Sequence, residues 1–251
     1  MHAYKLSWFT IVHPLRRTSP TLFTINFSLF TKIFSMSLIQ TNSFDTISLK
    51  KGQSLELIDI FDAAWKKTVE LQPHSSLIYL VVGSGTDMDI QVITRWQHCS
   101  CKIFWFFVSD AKRPVAGSLK VSLKHSQTSA DVELISFLRD GAKVSIDGSI
   151  DIWNHLEQVH GRLLEQNIVL GKNISLKTLP RLHVASHNVH ASHGANIDTL
   201  DQQKLFYMMS RGLTQQQSQT LLVDWYIDYV LSHFKEIGTT EKQAVFTLLK
   251  N

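Results

Sequence analysis

The chain has 251 residues, 44% of them apolar and only two of them cysteine, which suits a packed soluble core in a reducing compartment and excludes a disulfide-stapled or disordered chain. Its formal charge of +4 comes from residues 1–35, where Lys5, Arg16, Arg17 and Lys32 face no acidic residue, leaving 21 basic against 21 acidic groups beyond them. A neutral body lacks the basic footprint of a nucleic-acid binder, and no apolar run reaches the ~18–20 residues that span a bilayer.

Residues 1–35 are also rich in Ser and Thr and precede Met36. They read as an extension, either an upstream start placed before a shorter protein beginning MSLIQ or a plastid-like transit segment. The body, residues 36–197, shows short β-type runs: Ser54 to Ile60, Leu77 to Val82, Asp89 to Trp96, Ile103 to Val108, Ser118 to His125, Val132 to Leu138, Lys143 to Ile152, Gly161 to Leu170 and Arg181 to Val189. Gly, Asp or Asn separates many of them, which argues an all-β domain. Phe61 to Leu71 interrupts the pattern with 3,4 spacing and reads as a helix. Asp147-Gly148, taken alone, reads as a hairpin turn and makes the body a sandwich or jelly roll; a parallel β-helix turns at similar residues. Cys99 and Cys101, too close for a disulfide, read as small buried side chains, with metal or redox chemistry as the alternative.

The period changes in residues 198–251. Asp198 or Thr199 can cap a helix with Leu205, Phe206 and Met209 on one face and Gly212 at its end. Thr214 and Gln217 form a capping-box pattern before a second helix that carries Leu221, Trp225 and Tyr229 on one line and Leu222, Tyr226 and Val230 beside it. Thr240 and Gln243 repeat the device before Val245. No P-loop, Rossmann fingerprint or nucleophile elbow occurs, so an enzyme of those classes is not expected.

Four histidines, His183, His187, His190 and His193, fall within eleven residues. In an unbroken strand His183, His187 and His193 would share one face, but Asn188 and Gly194 are expected to break it. Neutral imidazole suits iron, zinc or copper, so metal binding competes with plain solvent exposure. Gly194 is expected to permit close backbone approach or a positive φ.

The stretch Asn188-Val189, Ser192-His193-Gly194-Ala195, Leu200-Asp201, Gln203 through Tyr207 and Ser210-Arg211-Gly212-Leu213 resembles the C-terminal signature of the SufB and SufD proteins of the SUF system. The resemblance is strong over residues 140–235 and weak before them. It implies a mostly β fold, a right-handed parallel β-helix with a C-terminal α-helical segment, and a non-catalytic role in iron-sulfur cluster assembly or iron acquisition. It implies a SufB-type scaffold subunit as partner, met through β-helix edges, and a SufC-type ATPase docked on the terminal helices, with Leu205, Phe206, Tyr207, Arg211, Trp225 and Tyr229 as anchors. His193 becomes the metal or cluster-assembly residue at the SufB interface, with His190 a weaker candidate.

The thiol that SufD relatives often carry two residues before this histidine is Ala191 here, and the cysteine of the SufB branch falls at about Ile174. Clusters are held chiefly by thiolates, so this chain is expected to bind no cofactor stably alone and to meet the cluster only within a complex. It reads as a SufD-like cytoplasmic component that pairs with SufB or, without it, with a second copy of itself. Two other readings stand beside this one: a cupin-type metal enzyme built on the histidines, and a degenerate family member acting only as an interaction module.

Overall fold

A computed structural model describes residues 35–40, 46–61, 65–83, 85–199, 202–235, 242–243 and 245–247. Their thirteen strands run in chain order as β1 (Ser35–Gln40), β2 (Thr46–Leu49), β3 (Ser54–Phe61), β4 (Trp65–Leu71), β5 (Ser76–Gly83), β6 (Gly85–Thr94), β7 (Ser100–Ser109), β8 (Val115–Leu123), β9 (Ser129–Leu138), β10 (Lys143–Ile152), β11 (Glu157–Val169), β12 (Ser175–Val184) and β13 (Asn188–Thr199). Odd-numbered strands form one seven-stranded sheet and even-numbered strands a six-stranded one, each strand pairing with the next but one. Every strand ladder is parallel. A chain that visits two parallel sheets in strict alternation is a β-solenoid. This removes the sandwich and jelly-roll readings and the cupin-type enzyme with them, since those folds are antiparallel.

Alternation within each strand fills the space between the sheets. Leu77, Cys101 and Ala130 stack in one inward column, and Tyr79, Ile103, Val132 and Leu163 in another. Both cysteines are buried, and burial raises their thiol pKa values, that of Cys101 to about 12. Both pack among apolar neighbours in the core, as the small-side-chain reading of Cys99 and Cys101 expects.

One corner is built alike in successive coils. Gly52, His74, His98, Gln127 and Gln158 all take a left-handed φ, which costs a non-glycine residue local strain. Contacts between coils offset it. The Gly52 N–H donates to Pro73, His74 to Gln97 and Gln127 to Glu157. The His74 and His98 rings stack at 4.5 Å, and Gln127 Nε2 donates to Gln158 Oε1.

Four expectations change. The helix expected from Phe61 to Leu71 is the end of β3 and all of β4, with 62–64 outside the described residues. Lys67, Val69 and Leu71 are all buried there. The charge at Lys67 hides the period-2 pattern; it is neutralised by Asp59 at 2.6 Å, whose Oδ2 also accepts the Tyr79 hydroxyl. Asp147-Gly148 is not a turn but the middle of β10. The strand expected from Arg181 to Val189 is two strands divided at 185–187, where the Ser186 hydroxyl accepts the Leu156 N–H and donates to the Trp153 carbonyl. Asn188 and Gly194, expected as breakers, lie inside β13.

Two helices, α1 (Gln202–Ser210) and α2 (Gln215–Leu231), follow β13. Gly212 at φ +92° ends the first, and both hydrogen bonds of the Thr214–Gln217 capping box open the second. The α2 residues Val223, Ile227, Val230 and Leu231 seal the outer face of the seven-stranded sheet against Leu80, Phe104, Phe106, Ile135, Phe137 and Ile168. Val245 joins that core; Thr240 lies outside the described residues.

Gly117 on β8 tests the coil spacing, since a Cβ there would stand 2.4 Å from the Met88 carbonyl oxygen. Gly117→Ala should cost about 1–3 kcal/mol, read as a lower urea midpoint at unchanged slope; an unchanged midpoint would show the β6–β8 spacing to be looser.

Candidate functional site at the open end of the solenoid

The last coil, β12 and β13, is the edge of both sheets. Its residues are mostly exposed, in contrast with the buried coils before it, and Leu179, Val184 and Ile197 stand in solvent. Unpaired parallel edges with exposed aliphatic side chains are a template for another chain.

His193 occupies the centre of this end. It pairs in register with buried Leu163 and so continues that inward column across the open core. Its Nδ1 lies 3.1 Å from the Pro180 carbonyl oxygen on β12. A carbonyl only accepts, so Nδ1 carries the proton and Nε2 keeps its lone pair when the ring is neutral. A ring oriented by a backbone carbonyl with its other nitrogen free is the arrangement of a metal-ligating histidine.

The other histidines do not converge on it. His190 lies on the opposite face of β13, beside His160 of β11. His183 belongs to the other sheet, in register with Asp151 on β10, and His187 is an exposed corner residue. The face expected to hold His183, His187 and His193 is therefore divided between two sheets and a corner. Among the described residues no three His, Cys, Asp or Glu side chains are grouped to hold a metal. With both cysteines sealed in the core, the chain's own side chains do not fit an iron-sulfur cluster. Gly194 has neither a positive φ nor a close neighbour, its Cβ position being 3.6 Å from Leu164, so neither reason expected for a glycine applies.

One residue at this end was not apparent as a site from sequence. Glu165, on β11 one coil below Ala195, points inward and is 1% exposed, and neither carboxylate oxygen makes a well-formed hydrogen bond. Burial pushes its pKa to about 7, partly offset by the Thr178 hydroxyl. Its Oε1 stands 3.0 Å from where a Cβ on Gly148 would be, so the glycine leaves the space that the carboxyl fills.

The helices carry the second set of expected contact residues. Phe206, Tyr207 and Trp225 are exposed, at 75%, 59% and 60%, and the Arg211 guanidinium lies over the Tyr207 ring. Leu205 is buried and is corrected from contact residue to core, whereas Phe206 and Met209, expected beside it on the packed face, are exposed. Tyr229 is half-buried; its hydroxyl donates to the Glu133 carboxylate at 3.2 Å and its ring stacks on Trp225. Glu133 and Asp131 both pair with Arg162, so α2 is held to the sheet by a polar network beside the apolar seal.

Residues 66–225, well over half of the chain, match the family described as SUF system FeS cluster assembly, SufBD core domain. The chain belongs to the SufBD family. Among similar proteins, the iron-sulfur cluster assembly protein SufD of Escherichia coli K12 is 28% identical over 88 residues, covering 35% of this chain and 21% of that protein. The SufBD family protein slr0076 of Synechocystis is 30% identical over 90 residues, 36% of this chain and 20% of the relative. SufB of Bacillus subtilis is 22% identical over 101 residues, 40% and 22%. The matched stretch thus spans about a fifth of each of these relatives. Within this SufBD chain the match takes in His193, Glu165 and the exposed aromatic residues of both helices.

The Glu165 carboxyl has a pH signature. Its ordinary pKa of 4.5 is raised to about 7 in the fold. Between those values the native state holds a proton that the unfolded chain has released, so its contribution to stability is present below pH 4.5 and lost as pH rises to 7. Glu165→Gln should therefore stabilise the protein more at pH 8 than at pH 5, by on the order of 2 kcal/mol in urea unfolding. Equal effects at both pH values would show the carboxyl to be well solvated.

Proposed function

We propose that this chain is a SufD-like subunit of the SUF iron-sulfur cluster assembly machinery, supporting cluster assembly or iron acquisition on a SufB-type scaffold and docking a SufC-type ATPase. The observation that carries the reading is the open final coil, where unpaired edges surround an inward imidazole with its Nε2 free. A subunit that supplies a histidine but no accessible thiol needs a second subunit for its sulfur ligands. The cluster is then cargo built at the junction, not a resident group of this chain. The higher identity to the E. coli SufD than to the B. subtilis SufB favours the SufD side of the family.

In this arrangement the scaffold subunit adds a coil to β12 and β13, covers Leu179, Val184 and Ile197, and brings its thiolates to His193. The Pro180 carbonyl holds the ring, so no rotamer search is needed when the partner arrives. The ATPase meets the exposed aromatic surface of α1 and α2, where Phe206 and Trp225 are the anchors and the network around Glu133 keeps the platform rigid. No helix among the described residues is long and apolar enough to cross a membrane; cytoplasmic assembly belongs to the same proposal.

Co-expression with SufB-type and SufC-type subunits tests this reading. The chain should be retained by the tagged SufB-type subunit; its recovery free of that subunit, alone or as a homodimer, would overturn the proposal. In the retained complex His193→Ala should lower iron and sulfide content roughly tenfold or more without dissolving the complex. Unchanged content would leave an interaction module only. Trp225→Ala with Phe206→Ala should weaken ATPase retention by about 2 kcal/mol or more while thermal unfolding of the chain itself is unchanged, since both side chains are exposed.

A further inference from the structure

We propose that the cavity beside Trp153, at an outer corner of the last two coils, binds the guanine base of a nucleoside or nucleotide. This site uses neither His193 nor the exposed helices, and it is independent of the assembly role proposed above.

Side chains at this corner stack coil upon coil. The His74 and His98 rings lie 4.5 Å apart and those of Trp96 and His125 6.0 Å apart, each pair 12° from parallel. Trp153 belongs to the adjoining column. Its N–H donates to the Leu123 carbonyl, and the Ala185 N–H donates to that of Ile152, so Lys124, Trp153 and Ala185 take the same position in three successive coils. The Lys124 ammonium covers one face of the indole, 4.4 Å from the ring centre. On the side of the last coil the column offers only the Ala185 methyl, where a flat group would continue the stack. The half-exposed indole and Ala185 border an open cavity of about 550 Å³ that Lys120, Asp151, Asn154 and His183 also line.

An ammonium on one face draws the π charge of the indole toward it, so the free face does not attract a second cation. A neutral flat ring held by dispersion is the occupant it favours, and the two fused rings of a purine match the indole in area. The groups around the cavity select among bases. Asp151 and Lys120 pair at 2.5 Å and so present a carboxylate beside an ammonium. Asp151 lies two residues before Trp153, a spacing that puts both on the outer face of the chain. Guanine carries its N1–H and amino donors next to the O6 acceptor, which a carboxylate and an ammonium side by side can meet together. Adenine, with one amino donor beside a ring-nitrogen acceptor, matches the pair less well. The chain beyond residue 35, with 21 basic against 21 acidic groups, lacks the field that holds a polynucleotide, so the ligand is a small molecule.

Calorimetric titration of GMP into the full chain tests the site. The wild type should bind one equivalent, and Trp153→Ala and Asp151→Asn should each weaken binding about tenfold or more. Ala185→Leu keeps every proposed contact group but fills the space over the indole, so it should abolish binding. Trp96→Ala, in the neighbouring column, should leave binding unchanged, and circular dichroism establishes that each variant is folded. AMP should bind about tenfold or more weakly than GMP. Guanosine should compete with GMP, since the edge groups meet the base, and ribose 5-phosphate should not. No binding of GMP by the wild type, equal affinity for AMP, competition by ribose 5-phosphate or full affinity in folded Ala185→Leu overturns the proposal.

Discussion

A parallel ladder leaves half its hydrogen-bonding groups facing the next strand out, and in a solenoid the only strand positioned to take them belongs to the next coil. Every coil of this chain from β3 to β11 has that neighbour on both sides. The last coil does not. The seal of α2, the burial of both cysteines and the inward columns of apolar side chains all follow from coils stacking on coils. So does the exposure of β12 and β13. The same rule that makes the body closed leaves its end open, and at that end stands His193, whose ring is oriented by the Pro180 carbonyl.

Much of the body was legible because its strands carry simple patterns. β5, β7, β9 and β10 lie within a residue or three of where alternation and apolar runs put them. Their arrangement was not legible from periodicity. Ladder partners stand 22 residues apart at Ser54 and Ser76, 31 at Ser136 and Asn167, and 32 at Asp147 and Leu179. A coil that changes length has no fixed repeat, so the parallel solenoid was reached through resemblance. β4 was missed because a buried Lys67–Asp59 pair breaks its apolar alternation. The packed face of α2 was not legible because apolar residues occur all around it, and only contact with Phe104 and Phe137 selects Val223 and Ile227.

For the candidate site the divide is similar. His193 was visible as a motif residue, but not the carbonyl that fixes its tautomer, because Pro180 lies thirteen positions away on another sheet. Glu165 was invisible as a site for a stronger reason. A single glutamate between Leu164 and Gln166 gives no hint of facing inward, and the space it fills is left by Gly148 on the facing strand of the same coil. Histidines close in sequence lie on different sheets, since the corner at Ser186 divides His183 from His193.

The left-handed corner has a consequence for how such proteins change length. Because Gly52, His74, His98, Gln127 and Gln158 each register one coil against its neighbour, the geometry of any coil depends on the one beneath and not on how many precede it. Whole coils can be gained or lost in the interior while the terminal face keeps its shape. A chain of this kind can then change its length in the interior without altering the geometry of its last strands.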